Sequence, residues 1–277
     1  MYKNLLVHIP TERSPRPAID SSISLAMTFG ADVEAVAVGY ESINDVPFVA
    51  EGGVAMAPLF EQQHEEALQR ANAALAVFEV EAKAASLNYK SRALGASFAE
   101  AASIFNAKAR LSDLTIVSQP DPTHETFDNL FPQTVLLQAG GPILTVPYTF
   151  RGSLNVGRIG ICWDGSRLAA RALHDALPLL AKANALTILS VNEPVCAEAS
   201  ADRLVARLAS RGLPAKIVHL QADHSEIQPT ILSATADEGL DLLVMGGYGH
   251  SRLKEIVLGG VTRKMFQCMT VPTLMSH

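Results

Sequence analysis

The sequence predicts an α/β protein made of two tandem doubly wound domains, each a five-stranded, mostly parallel sheet with helices on both faces. Three observations lead to this prediction. Short apolar runs alternate with segments of helical periodicity, a pattern that requires parallel strands joined by crossover helices. The whole alternation occurs twice along the 277 residues. The chain is 48% hydrophobic and 18% charged, which supplies enough apolar side chains for packed cores and argues against disorder.

The two halves are related by an internal repeat. They share three short segments in the same order, and the offset between the copies falls from 154 to 128 to 125 along the chain. A falling offset places extra residues in the first half, mostly at 41–60. The predicted domains are therefore 1-150 and 151-277. The matched segments are Asn4–Ile9 with Arg158–Trp163, Asp113–Val117 with Asp241–Met245, and Thr145–Pro147 with Thr270–Pro272.

The elements follow from periodicity and turn residues. A long helix is predicted over 62–85, because its apolar spacing is helical and it contains neither proline nor glycine. The predicted strands of the first half are 3–9, 33–38, 89–94, 113–117 and 143–147, and those of the second half are 157–163, 185–191, 215–220, 241–245 and 271–275. The predicted helices of the second half are 166–182, 198–211, 226–238 and 261–268.

The last strand of each half is expected to lie at the edge of its sheet. Exposed edge strands are pairing surfaces. We therefore predict that the two domains form an intramolecular pseudo-dimer through the strands ending at Val146-Pro147 and Val271-Pro272. A further homodimer remains open.

Composition narrows the function classes. A net charge of −6 argues against a general nucleic-acid surface, which needs clustered lysine and arginine. No apolar run approaches the roughly 18–20 residues of a membrane helix, and the first residues lack a secretory pattern. The three cysteines, Cys162, Cys196 and Cys268, lie far apart without a CxxC pair, which favours a reduced compartment. We expect a cytoplasmic protein without membrane contact.

The segment 241–262 contains the most informative motif. Its buried run ends at Met245, and Gly246, Gly247 and Gly249 follow. A second glycine pair, Gly259-Gly260, precedes a predicted helix start. Glycines after a strand and free N–H groups at a helix N-terminus are a common way to bind phosphate. The motif predicts a nucleotide or another phosphorylated ligand.

The spacing of these glycines is neither that of a Walker loop nor that of GxGxxG. The pattern Gly246-x-x-Gly249, nine residues, Gly259 resembles the nucleotide loop of the universal stress protein (UspA-like) family. The resemblance covers nearly all of the chain as a tandem pair, and it implies Rossmann-like, adenine nucleotide alpha-hydrolase-like domains. One departure is Gly260, which stands where that family usually has Ser or Thr; Thr262 is a candidate replacement for the lost hydroxyl.

The resemblance implies that the second domain binds ATP or another adenine nucleotide, with Mg²⁺ as a possible companion. Asp164 matches a family position that contacts adenosine, while from the residues alone it is either a helix cap or a ribose ligand. Trp163 either borders the base or fills the core, and His250 either reaches a phosphate or lies in an exposed loop. The full set of predicted binding residues is Trp163, Asp164, Val191, Met245, Gly246, Gly247, Gly249, His250, Gly259, Gly260, Val261 and Thr262.

The first half lacks this motif. Pro10 stands at the position of Asp164, and the segment 118–127 after the fourth strand contains prolines and no glycine. Proline removes N–H donors, so a phosphate-binding loop cannot form there in the same way. We expect one competent site per chain.

Catalysis is not expected, beyond slow ATP hydrolysis at most. No residue pair is placed to activate water, and Cys162 lies within a buried strand. The group His219, Asp223, His224 and Glu226 is either a metal site or, as we favour, a solvated loop. The resemblance to the universal stress protein family implies a regulatory role in stress, with an unknown protein partner. The alternative is an interaction or scaffold protein with a relic nucleotide loop.

Overall fold

The computed structural model describes residues 1–41, 57–192, 196–247 and 261–277. Within these ranges the first half contributes strands β1 (Asn4–Ile9), β2 (Asp32–Tyr40), β3 (Tyr89–Ala96), β4 (Leu114–Ser118) and β5 (Ile143–Val146). The second half contributes β6 (Arg158–Cys162), β7 (Ala185–Val191), β8 (Ala215–Leu220), β9 (Leu242–Gly246) and β10 (Thr273–Ser276).

The described helices follow the same repeat. Those of the first half are α1 (Arg16–Phe29), α2 (Ala57–Ala84), α3 (Phe98–Ala109) and α4 (Phe131–Gln138). Those of the second half are α5 (Arg167–Leu180), α6 (Ala201–Ala209), α7 (Ile227–Asp237) and α8 (Val261–Cys268). No helix in the described ranges has the length and apolarity needed to cross a bilayer.

The ten strands of the described ranges form one sheet, in the order β3-β2-β1-β4-β5-β10-β9-β6-β7-β8. Each half therefore has the same internal order, and every pair of neighbours within a half is parallel. Strand β1 pairs with β4, and β6 with β9, so the strand order reverses at these two places. The predicted doubly wound α/β architecture is confirmed.

The halves join through an antiparallel pair of their last strands, β5 and β10. Leu144 lies opposite Leu274 at the centre of this pairing. Thr145 lies opposite Thr273 on one side, and Ile143 lies opposite Met275 on the other. The predicted pseudo-dimer pairing of the two last strands is thus present. It makes the sheet continuous and covers one edge of each half.

The predicted strand 271–275 overlaps β10, but the expectation that the last strand ends at Val271-Pro272 was wrong. Val271-Pro272 lies before β10, and the repeat partner of Pro272 is Pro142, directly before β5. The registers agree with this, because Ile143 pairs with Thr115 and Thr273 pairs with Leu243. Proline has no N–H to donate to a ladder and is tolerated at the beginning of a strand.

The extra length of the first half lies largely in α2. Asp32 and Tyr89 stand 57 positions apart, whereas their register counterparts Ala185 and Ala215 stand 30 apart. Helix α2 has 28 residues and α6 has nine. The prediction had placed the excess mainly at 41–60, of which 42–56 lie outside the described residues.

Two apolar layers cover the faces of the sheet. Helices α1, α2, α5 and α6 pack on one face. Helices α3, α4, α7 and α8 pack on the other face. Both faces of the central strands are therefore buried, which is why those strands are nearly continuous apolar runs.

Candidate functional site

The candidate site lies where β6 and β9 end side by side. Ile161 pairs with Val244, and the residues that directly follow the two strands are Trp163 and Gly247. Ligands of doubly wound sheets bind at the carboxyl ends of the strands, where the strand order reverses. The first glycines of the predicted phosphate-binding motif therefore lie beside the end of the first strand of the second half.

Asp164 is exposed in the loop that follows β6. Its Oδ1 accepts a hydrogen bond from the backbone N–H of Ser166 at 2.9 Å, across Gly165, which has a φ of 73°. The helix cap is Ser166, whose Oγ accepts from the N–H of Ala169 at 3.1 Å. Asp164 is therefore not the N-cap, and its second carboxylate oxygen is directed to no hydrogen-bond donor among the described residues.

Trp163 lies on a different face from the two predicted apolar lining residues. Its Nε1–H donates to the carbonyl of Ala199 at 2.8 Å, and its ring packs on the α5 and α6 side of the sheet. Val191 and Met245 pack on the α7 and α8 side. The structure does not bring Trp163 together with them, which favours its interpretation as a core residue.

Gly246 is required by the packing of the protein itself. A Cβ on this residue would lie 2.7 Å from the backbone carbon of Leu168 and 2.8 Å from the nitrogen of Ala169. Both atoms belong to the first turn of α5. The space beside Gly246 is thus filled by a helix, and it is not available to a ligand.

Gly247 lies against a residue of the other half. A Cβ there would be 2.8 Å from Cδ2 of Leu136, which is in α4 and 1% exposed. The carbonyl oxygen of Gly247 is 3.1 Å from Nδ1 of His277. The N–H of Gly247 donates to the backbone carbonyl of Ser276 at 2.8 Å. Sequence reasoning missed Leu136 and His277, because no local pattern signals contacts between distant segments.

This contact gives a testable coupling between the halves. Gly247→Ala should lower the free energy of unfolding by about 1–2 kcal/mol through overpacking, and Leu136→Ala by about 2–4 kcal/mol through a cavity. The double variant should be more stable than the sum predicts by about 1 kcal/mol, because the new methyl enters the space vacated by the leucine.

Urea unfolding of the four proteins measures this coupling. Leu25→Ala, which empties a buried site in α1 away from Gly247, serves as the matched control and should combine additively with Gly247→Ala. Additivity of the Leu136 pair as well would contradict the contact.

Of the predicted phosphate-binding residues from Gly249 onwards, the structure describes only Val261 and Thr262. Helix α8 begins at Val261, and Thr262 in its first turn is 3% exposed. Lys264 Nζ donates to the carbonyl of Ser225 at 3.0 Å, which ties α8 to the turn before α7. The remaining predicted residues, Gly249, His250, Gly259 and Gly260, lie outside the described residues.

The described side chains offer little to nucleophilic or metal chemistry. Burial, together with the charge of Asp164, raises the pKa of the Cys162 thiol to about 12, so the thiolate is scarce at neutral pH. No three His, Cys, Asp or Glu side chains within the described ranges converge as metal ligands, the His219–Glu226 group included. The arrangement suits binding of a polar ligand by a carboxylate and main-chain groups.

Comparison with known proteins gives a consistent family signal. Residues 195–277 match the model of the universal stress protein family. The chain is 28% identical over 141 residues to universal stress protein Slr1230 of Synechocystis, covering 48% of this chain and 46% of that protein. It is 41% identical over 44 residues to universal stress protein MJ0577 of Methanocaldococcus jannaschii, covering 16% and 27%. The chain thus spans about half or less of the curated relatives that it matches.

A solved structure resembles the whole chain. The crystal structure of a universal stress protein from Archaeoglobus fulgidus superposes with a TM-score of 0.73 and 14% identity, covering 98% of this chain and 97% of the other. At that identity the likeness concerns the fold. It extends over both halves of the chain.

Proposed function

We propose that the chain is a tandem two-domain member of the universal stress protein family, and that its C-terminal domain, 151-277, binds ATP or a related adenine nucleotide. The N-terminal domain, 1-150, serves as a structural partner without a nucleotide. Occupancy of the site regulates which surface the protein presents to a protein partner in a stress response.

The observation that carries this proposal is the difference between the two equivalent crevices. After β6 the chain presents the exposed Asp164 beside the end of β9. The corresponding residue after β1 is the buried Pro10, and the buried side chain of Asp128 fills that crevice. One crevice thus offers an acceptor to solvent and the other is closed by the chain.

Different residues of the site bind the ribose, the base and the phosphates in this proposal. In this proposal the Oδ2 oxygen of Asp164, which accepts no hydrogen bond from the described residues, accepts one from a ribose hydroxyl, and charged acceptors make the stronger hydrogen bonds. Val191, half-buried at the end of β7, offers apolar surface to the base. The N-terminus of α8 offers main-chain N–H groups to the phosphates, while Gly259 and Gly260, which precede it in the sequence, lie outside the described residues.

A magnesium ion fits this scheme as a companion of the phosphates. Mg²⁺ commonly keeps several waters and is held by one or two carboxylates together with substrate phosphates. Asp164 is a single carboxylate of this kind. Within the described residues we find no base oriented towards a nucleophile at the site, so binding with at most slow hydrolysis is the proposed activity.

The decisive variant is Asp164→Asn. Its amide oxygen can still accept from the N–H of Ser166, so the loop and the stability should be preserved. The second oxygen becomes an N–H₂ group without charge, so the dissociation constant for ATP should rise by about 10- to 100-fold, as expected for a hydrogen bond to a charged group. Isothermal titration calorimetry measures this change.

Asp237→Asn is the matched control. This exposed aspartate at the end of α7 lies near the amino ends of the strands, whereas Asp164 follows a carboxyl end. Its substitution makes the same change in net charge. It should leave ATP affinity unchanged. Equal affinity of Asp164→Asn and wild type would remove Asp164 from the site.

The ligand itself is identified by mass spectrometry of small molecules released from protein purified without added nucleotide. An adenine nucleotide, or a rise in melting temperature on adding ATP, supports the proposal. If neither signal is found, the scaffold alternative is favoured. The glycine at position 260, where the family usually has Ser or Thr, already points to that alternative. Fast multiple turnover that a single side-chain change abolishes would establish an enzyme instead.

A further inference from the structure

The crevice of the N-terminal half is occupied by a carboxylate of the chain itself. Strands β1 and β4 end side by side, as β6 and β9 do in the other half. Beyond their ends lies Asp128, 0% exposed, in a 3-10 turn over Phe127–Asn129. This turn directly precedes α4, which corresponds in length and position to α8.

Asp128 is held as a bound anion would be. Its Oδ2 accepts hydrogen bonds from the backbone N–H groups of Thr11 at 3.0 Å and Glu12 at 2.9 Å. Its Oδ1 accepts one from the hydroxyl of Tyr40 at 2.8 Å. Two successive main-chain amides and a phenol thus converge on one buried carboxylate, which offsets part of the cost of removing it from water.

The contact is reciprocal across the crevice. Glu12 Oε2 accepts from the backbone N–H groups of Phe127 at 2.7 Å and Asp128 at 3.3 Å. Each acidic side chain therefore binds main-chain amides of the opposite segment. Together they fasten the loop before α4 to the loop after β1.

Two nitrogen atoms around this carboxylate have no hydrogen-bond partner in the described structure. One is Nε2 of His8, which is 1% exposed and 3.6 Å from Oδ1 of Asp128, too far for a hydrogen bond. The other is Nε of Arg13, whose Nη atoms donate to the carbonyls of Ser118 at 3.1 Å, Asp128 at 3.4 Å and Gln119. The crevice therefore contains the half-buried cation of Arg13 and two buried nitrogen atoms that its occupant does not bind.

We propose that the N-terminal crevice is a carboxylate-binding site that the chain fills with its own Asp128. Removing this carboxylate creates a vacant site for a small free carboxylate such as formate or acetate. The same occupation keeps external ligands out of the wild-type crevice. This proposal does not depend on nucleotide binding by the other half.

Chemical rescue of Asp128→Ala tests the proposal. This variant should melt at a lower temperature than wild type in sodium chloride, because the amides of Thr11 and Glu12 lose their acceptor. Sodium formate at equal ionic strength should recover at least half of the loss, and acetate less because its methyl group needs more room. Wild type should show no difference between formate and chloride.

Asp128→Asn is the matched control, because it removes the charge and leaves no room for formate. Its melting temperature should fall and should not respond to formate. An equal response of both variants, or stability of Asp128→Ala equal to wild type, would overturn the proposal.

Two further measurements keep the proposal testable if Asp128→Ala does not fold alone. Refolding that succeeds in formate and fails in chloride supports the site, and failure in both contradicts it. In the wild-type protein, hydrogen exchange at the amides of Thr11 and Glu12 should be as slow as in β1. Fast exchange at these two amides would show that Asp128 does not hold them.

Discussion

A Gly246→Ala variant is expected to lose about 3 kcal/mol of unfolding free energy, the upper part of the usual range for overpacking. The added methyl would lie 2.7 Å and 2.8 Å from main-chain atoms of Leu168 and Ala169, closer than real Cβ atoms come. Main-chain atoms in the first turn of a helix cannot rotate away as a side-chain end can. The cost must be met by displacing the start of α5 from the sheet.

The displacement has a functional consequence. The first turn of α5 follows directly on the loop of Asp164 and Ser166. Gly246→Ala should therefore also weaken ATP binding without any contact between Gly246 and the nucleotide. Loss of binding in this variant must not be taken as evidence that Gly246 touches phosphate.

Thermal unfolding followed by circular dichroism measures the effect, which corresponds to a fall of about 6–12 °C in melting temperature. The control is Gly141→Ala, whose Cβ would meet its nearest atoms at 3.9 Å and 4.0 Å. That variant should be as stable as wild type or slightly more stable, because alanine restricts the unfolded chain. Equal melting temperatures for both variants would contradict the packing at Gly246.

The sequence predicts most of the fold because burial and local periodicity determine it. The strands Ala185–Val191 and Ala215–Leu220 and the helix Val261–Cys268 have the predicted bounds. The alignment of Thr145–Pro147 with Thr270–Pro272 gave wrong repeat partners at the last strand. Three identical residues resemble a repeat, but strand register depends on hydrogen bonds to neighbouring strands, which lie far away in sequence.

The candidate site is less predictable, because a glycine in a sequence shows only that a side chain is missing. It does not show what fills the space. At Gly246 a helix fills it, and at Gly247 a leucine from the other half does so. The closure of the N-terminal crevice is similarly hidden, since Asp128 binds the amide of Thr11 across 117 positions. The missing glycines predict a lost phosphate loop and do not reveal its replacement.

Acidification from pH 7 to pH 5 should lower the free energy of unfolding by about 2 kcal/mol through His8 alone. Burial, and next to it the charge of Arg13, lowers the pKa of His8 from its ordinary value near 6.5 to about 3. The ring is stacked on Phe131, with centroids 4.1 Å apart, and meets the edge of Phe105. The folded state therefore keeps His8 neutral over this range.

The sign follows from the proton balance. Between pH 6.5 and about 3 the unfolded chain binds a proton at His8 and the folded chain does not, so stability falls as the pH falls through this window. The neighbouring acids act in the opposite direction, because burial raises the pKa of both Asp128 and Glu12. Tyr40 stays neutral, since burial raises its pKa, and Arg13 stays charged, so neither titrates here.

His8→Phe isolates the contribution of the histidine. Phenylalanine can keep the stacking on Phe131 and has no titrating nitrogen, while the other seven histidines and the neighbouring acids remain. Urea unfolding at pH 7 and pH 5, followed by circular dichroism, should show a loss about 2 kcal/mol smaller in the variant than in wild type. Equal losses of unfolding free energy in the two proteins would contradict the prediction. They would mean that His8 becomes protonated in the folded state and forms an ion pair with Asp128.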